Sequence, residues 1–325
     1  MAKLEDEKMD LYDMAKNMSE NEYDMLINSA KTDKELEFYI CIKKYFGKLY
    51  YPHTLYHYTN FTSMVAILSE GMGLCRSNEM NDKKEMLHFI DSVQEALRKR
   101  FNGRADIQDK IKERFAAEQE KRKNDVVYLA SLSGLEDDVS QWVRYGNSGH
   151  GVAIGLNSTI LKMTTDTSGV FLQEVFYDTD ADQHQITESF EDFFLGKPYC
   201  RNWGEENDGE GLFDQLWMNA MAHKRPSFYS ENEYRIATLP FGTRRRHDKL
   251  GELKMKMLPS GLKECLCLDF QEKCNRIGSS MDQLIDKIII GPLCKMQEKD
   301  IKEWAGQNGF DYLIPKIQKS KSPLR

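Results

Sequence analysis

The hydrophobic pattern of the chain changes period repeatedly, and each change marks an element. Leu55-Tyr56-His57-Tyr58-Thr59 is an aromatic-rich run of strand character with one histidine at its centre. A titratable ring in a strand bound for the core needs a partner there. In the following run Met64, Ile67 and Leu68 fall on one face, which predicts a helix from Thr62 to Ser69 ended by Gly71. Upstream, Leu11, Met14 and Met18, then Phe38, Ile42, Tyr45, Phe46 and Leu49, trace weak apolar stripes of helical spacing. Thr32 with Glu35 three residues on is a helix start. The helical region breaks at Tyr50-Tyr51-Pro52. The expected organisation is an N-terminal helical extension over residues 1–50, structural or partner-binding, and an α+β domain over 51–325.

Beyond the first helix, Asp82 and Glu85 have the spacing of a capping box, with a helix running on toward Phe101. Asn81 and Asp82 read equally well as caps or as residues lining a site. Residues Asp106 to Asn124 form a highly charged helical pattern, read as a solvated insertion. Strands follow at Val126–Ser133, Gly151–Leu156 and Val170–Tyr177. A short helix, Val139–Tyr145, opens after the acidic run Glu136-Asp137-Asp138, which suits its positive N-terminal end. Residues Gln183 to Lys224 are mostly helical, broken by a loop at 202–209. Glu233, Arg235 and Ala237 alternate with Tyr234 and Ile236, predicting a half-buried strand. Further strands are expected at Leu266–Phe270 and Lys287–Gly291, then a helix at Gln297–Asn308 and a closing strand at Tyr312–Pro315.

Composition narrows the class. With 325 residues, 40% hydrophobic and 30% charged, the chain can bury a sizeable core. Its formal charge of −7 argues against a generally basic nucleic-acid binder. The local cluster Arg244-Arg245-Arg246-His247 reads as a solvated turn. No apolar run approaches the ~20 residues that span a bilayer, and Met1 to Glu7 lacks the apolar stretch of a signal peptide. A cytoplasmic chain without membrane contact is the expectation. The seven cysteines are scattered, and Cys265-x-Cys267 with Cys274 lacks zinc-knuckle spacing, so reduced core thiols and no metal site are expected.

No nucleophile elbow, phosphate loop, dinucleotide glycine fingerprint or zinc helix is present. What remains is a dispersed polar set: His57 and Thr59, Ser131 and Ser133, Trp142 and Tyr145, and Glu231, Glu233 and Arg235. Each has an ordinary reading alone. A strand histidine is commonly a hydrogen-bonded core residue, Trp142 and Tyr145 at helical spacing are commonly core, and Glu233 with Arg235 on one strand face makes a surface ion pair.

Their order is more specific. From Leu55 to Arg325 the chain resembles a large bacterial and archaeal family of unknown function. Shared features are the Leu-Tyr-His-Tyr-Thr strand, Asn81-Asp82 with Glu85, the Gln141-Trp142-x-x-Tyr145 helix and the Gly151 to Gly155 strand. A lysine before Glu231-x-Glu233-x-Arg235, Ile289-Ile290-Gly291-Pro292 and the terminal Ser320-Lys321-Ser322-Pro323-Leu324-Arg325 complete the pattern. That pattern in turn is similar to the His-Tyr-Glu branch of the ADP-ribosyltransferases. The resemblance implies an α+β fold with a mixed, split β-sheet and helical insertions. It also implies an enzyme that consumes NAD, as an ADP-ribosyltransferase or NAD glycohydrolase serving as a bacterial toxin or anti-phage effector.

On that resemblance Glu233 holds the 2′-hydroxyl of the reacting ribose and stabilises its developing positive charge. His57, with Tyr58 and Thr59 beside it, holds the adenosine-side ribose. Tyr145, with Trp142, stacks on nicotinamide. Ser131 or Ser133 supports Glu233, Arg235 binds phosphate or fixes the glutamate, and Lys224 and Arg225 meet the pyrophosphate or the acceptor. Glu231 activates a protein or nucleic-acid acceptor; Glu231 and Glu233 are also open to exchanging roles. Two rivals stand beside this reading: a non-catalytic sensor that binds a nucleotide in the same cleft, and a metal-dependent nuclease using Glu231, Glu233 and Asp82.

Overall fold

The computed structural model describes residues 52–77, 85–122, 126–166, 170–177, 180–197, 209–238, 251–258 and 261–324, together with Met25, Asn28 and Ser29. The expected N-terminal helices, the Asn81–Asp82 cap, the 202–208 loop segment and the Arg244–His247 cluster lie outside the described residues. The chain divides into two compact units, Met1–Pro52 and His53–Arg325. The second unit is a mixed α/β structure built on an open, mixed sheet.

It begins with β1 (Thr54–Thr59) and α1 (Phe61–Glu70). Asn60 caps α1 by accepting from the Ser63 amide, and Gly71 ends it at φ 88°, where a side chain would be strained. The chain then enters β2 (Met72–Arg76), a strand absent from the sequence reading, which had only Gly71 ending the helix. Helices α2 (Glu85–Arg100) and α3 (Ala105–Arg122) follow. The expectation of a solvated insertion fails at α3. Its Ile107, Ile111 and Phe115 repeat every four residues and are buried in a cluster with Phe89, Phe190 and Phe213.

Next come β3 (Tyr128–Ser133), α4 (Val139–Arg144), β4 (Val152–Asn157), α5 (Ser158–Asp166), β5 (Val170–Glu174), α6 (Asp180–Phe194) and α7 (Glu210–Ala222). A 3-10 turn (Pro226–Glu231) leads into β6 (Glu233–Thr238), and β7 (Glu252–Leu258) pairs with β8 (Gly261–Leu268). The C-terminal part carries α8 (Phe270–Arg276), α9 (Met281–Leu284), β9 (Ile285–Ile290) and α10 (Glu298–Gln307). Tyr312–Pro315 is not a strand: it lies in a 3-10 turn (Asp311–Lys316), because Pro315 cannot donate to a ladder, and the strand β10 (Ile317–Lys319) begins after it.

The sheet forks at β3. One edge of β3 is taken along its length by β6, which in turn pairs with β5. The other edge is shared. Tyr128 and Leu129 pair with β2, Ser133 pairs with Tyr56 of β1, and among the described residues no strand register covers Ala130, Ser131 and Leu132 on that edge. One arm runs β1–β4–β9–β10, where only the β9–β10 pair is parallel; the other runs β2–β8–β7. Among the described residues no helix is long and apolar enough to cross a membrane.

Candidate functional site

Part of the polar set singled out by the sequence comes together where the sheet forks: His57, Ser131, Lys224, Glu231, Glu233, Arg235 and Tyr145. Ser131 lies in the uncovered stretch of β3. Its carbonyl accepts from His57 Nδ1 of β1 at 3.0 Å, and its hydroxyl donates to Glu233 Oε1 of β6 at 2.6 Å. Because a carbonyl only accepts, the proton sits on Nδ1, leaving Nε2 as the acceptor of a neutral ring. Burial pushes the His57 pKa below the ordinary histidine value, against the opposing pull of the Ser131 carbonyl.

All six residues of β6 are buried, so the half-buried strand and surface ion pair expected from the alternation are replaced by buried charge. Ser133 lies opposite Glu233 and Ser131 opposite Arg235, placing all four on one face. Glu233 accepts from Ser131, from Arg235 Nε at 2.8 Å and Nη2 at 3.2 Å, and from Lys224 Nζ at 3.0 Å. Those contacts use the carboxylate's acceptor capacity. Burial alone would raise its pKa, but Arg235, Lys224 and Ser131 outweigh it and hold the group at about 2. Arg235 Nη1 also donates to the Met221 carbonyl at 2.8 Å, tying the cluster to the end of α7.

Glu231 enters from the 3-10 turn. Asn232, in a left-handed conformation at φ 41°, turns the chain from that element into β6. The carboxylate of Glu231 accepts from Lys224 Nζ at 2.6 Å, Arg144 Nη1 at 2.9 Å and the Tyr145 hydroxyl at 2.8 Å. Its carbonyl takes Ser133 Oγ at 2.8 Å and Gln141 Nε2 at 3.1 Å. Lys224 stands over the Phe228 ring, 4.7 Å from its centroid. Lys224, Arg235, Glu231 and Glu233 are each at most 9% exposed, so two cations and two anions balance in the interior. Arg144 and Tyr145 form the outer side of the cluster, Tyr145 being 40% exposed. Burial and Glu231 push the Tyr145 phenol well above its usual pKa, keeping it a donor.

Other expected site residues are used differently. Trp142 is fully buried, meets Tyr58 edge-on at 4.9 Å and donates Nε1 to Asp137 at 2.7 Å, so its ring has no open face for a ligand. Tyr58 is buried too, its hydroxyl donating to the Leu135 carbonyl and accepting from the Asp138 amide. Thr59 is buried opposite Val152. Ser133 supports the Glu231 backbone, not the Glu233 carboxylate, and Arg225 is exposed. Asn81 and Asp82 lie outside the described residues.

Three supporting residues went unassigned in the sequence. Gln141 and Arg144 reach Glu231 from the same side of α4 as its C-cap residue Tyr145, a spacing of three and four that was visible in the Gln-Trp-x-x-Tyr run. Tyr177, whose hydroxyl accepts from the Glu233 amide at 2.8 Å, carried no local signal. Among the described residues no group of three or more His, Cys, Asp or Glu side chains is placed to hold a metal ion.

No curated protein and no solved structure matches the chain. Residues 141–236, the stretch that carries Gln141, Arg144, Tyr145, Lys224, Glu231, Glu233 and Arg235, match the model of a family described as a protein of unknown function, DUF2971.

Proposed function

We propose that this protein consumes NAD, transferring ADP-ribose to a macromolecular acceptor or to water. The observation that supports the reading is the grip of His57 and Glu233 on one residue, Ser131, at the fork of the sheet. In such a reaction the bond between nicotinamide nitrogen and ribose carbon breaks, and its electron pair leaves with nicotinamide. Positive charge develops on the ribose, as in glycoside cleavage. Glu233 is held ionised for that task, since a carboxylate with a pKa of about 2 stays charged throughout the physiological range. His57 offers Nε2 as an acceptor for a ribose hydroxyl. The exposed ring of Tyr145 is available to flat nicotinamide, and in this reading Glu231 takes the proton of the incoming acceptor, giving up one of its present donors to do so. Binding the reacting ribose through Glu233 requires the hydroxyl to replace one present donor; Lys224 is the natural one, because it keeps Glu231. Loss of NAD or modification of a macromolecule is the chemistry of a toxin or an anti-phage effector.

The filled acceptor sites of Glu233 also favour a second reading, a nucleotide-binding module without turnover. Nicotinamide release from NAD separates the two, measured on the purified protein with and without nucleic acid or lysate as acceptor. Release that disappears in a folded Glu233→Gln or Glu231→Gln variant supports the enzyme and identifies the carboxylate. NAD binding without release supports the binding module, and neither binding nor release removes NAD from the account.

A further inference from the structure

On the other arm of the fork, a cleft of about 680 Å³ opens between the end of α1, the β7–β8 pair and α8. Its volume is in the range of small-molecule sites. Lys273 lines it, and only 4% of that residue is exposed. A buried lysine is ordinarily paired. Among the described residues no hydrogen bond or ion pair is made by this ammonium, and its nitrogen is not among the polar atoms sealed off from solvent. The neighbouring charges are already engaged. Glu272 pairs with Arg276, Glu252 with Lys254 at 2.9 Å and Glu70 with Lys256 at 3.5 Å, while Asp269 accepts from the Glu272 amide at 3.0 Å.

We infer that this cleft binds a small carboxylate, with the Lys273 ammonium as its counter-ion. A single ammonium lacking a partner calls for a single negative charge. The lining holds four acidic residues (Glu70, Glu252, Asp269 and Glu272) against three basic ones (Lys254, Lys273 and Arg276), so a dianionic phosphate meets more repulsion than a carboxylate does. Leu253 and Cys267 supply apolar wall for the rest of the ligand. Burial, with Arg276 adding to it, pushes the Lys273 amine below the usual lysine pKa; Glu272 and Asp269 pull the other way. A bound anion would reverse that direction. The site shares no residue with the Lys224 cluster and stands independently of the NAD reading.

The test is carbon NMR of the full chain after reductive ¹³C-dimethylation of its lysines, with Lys273→Arg to assign the Lys273 signal. Acetate is titrated at constant ionic strength against chloride, and inorganic phosphate is titrated separately. The expected result is a saturable shift of the Lys273 signal with acetate, accompanied by titration of the amine at higher pH. Equal responses to acetate and chloride would overturn the proposal, as would tighter saturation by phosphate. A Lys273 that resists methylation would overturn it too, because its nitrogen would then not reach the cleft.

Discussion

Glu231 and Glu233, two residues apart in the chain, share the ammonium of Lys224, at 2.6 and 3.0 Å. Neither carboxylate has water around it to replace that charge, since both are 4% exposed. Removing one partner of a buried ion pair leaves an uncompensated charge and costs about 3–5 kcal/mol. Lys224→Met is therefore expected to lose stability of that order in urea unfolding at neutral pH. Adding Glu231→Gln to that variant restores the charge balance and is expected to recover part of the loss. A second substitution that only adds to the damage would show that the shared ammonium is not what holds the two carboxylates together.

The pKa of Glu233 carries a pH dependence with a definite sign. Its folded value of about 2 lies below the ordinary 4.5. A depressed carboxylate contributes stability above its unfolded pKa and loses it as pH falls through the folded one. The window is therefore pH 4.5 down to 2, and the full contribution is about 3 kcal/mol at 1.36 kcal/mol per unit. Unfolding free energies at pH 6, 4 and 3 are expected to fall more steeply for the wild type than for Glu233→Gln. Parallel curves would contradict the assignment.

Much of this arrangement was legible locally. The aliphatic and aromatic runs of β1, β3, β4 and β9 announced strands, and the alternation around Glu233 placed it on one face with Arg235. What closes around Glu233 was not legible from spacing, because Lys224 and Ser131 reach its carboxylate and Tyr177 its amide from three other segments; only the family resemblance put a serine, Ser131 or Ser133, beside it. Strand β2 was hidden by Gly71 and Gly73, since its strand character comes from pairing with β8. In α3 the density of charge drew attention from Ile107, Ile111 and Phe115, whose spacing already described a buried stripe. Trp142 shares a short helix with Tyr145, and spacing alone could not tell that one ring turns inward to Asp137 while the other reaches Glu231.

Asp137 links the site helix to the C-terminal segment. Its backbone is left-handed, at φ 51°, a conformation aspartate tolerates better than most residues. Its carboxylate accepts from Trp142 Nε1 at 2.7 Å, Ser320 Oγ at 2.5 Å and the Lys321 amide at 2.7 Å. Hydrogen bonds to a charged acceptor are worth roughly 1.5–3 kcal/mol each and are not additive. Asp137→Ala is expected to cost about 3 kcal/mol and to speed hydrogen exchange at the Lys321 amide. Asp137→Asn keeps the backbone preference and one oxygen, so its effect is expected to be smaller on both readouts. Unchanged exchange in Asp137→Ala would mean that the terminal segment is held elsewhere.

Glycine-to-alanine substitution is expected to have opposite signs at two positions. A Cβ at Gly151 would press into the Thr59 carbonyl and lie 2.9 Å from that of Gly146, both backbone groups that cannot swing aside. Overpacking of this kind costs typically 1–3 kcal/mol, and rigid backbone on two sides puts Gly151→Ala at the upper end. The displacement falls on Thr59, two residues after His57 on the same strand, so it also disturbs the geometry at Ser131. At Gly306, inside α10, the added Cβ meets only Asp311 Oδ1 and Ile314 Cδ1, both at 3.7 Å, an ordinary contact. Gly306 is the last residue but one of the helix, so alanine gains part of the helix-interior propensity of about 0.8–1 kcal/mol, and Gly306→Ala is expected to raise the unfolding midpoint modestly. Thermal unfolding of the two variants beside the wild type checks both signs. A stable Gly151→Ala would mean that β1 and the Gly146–Gly151 turn can separate without cost, and the close approach would then not constrain the fork.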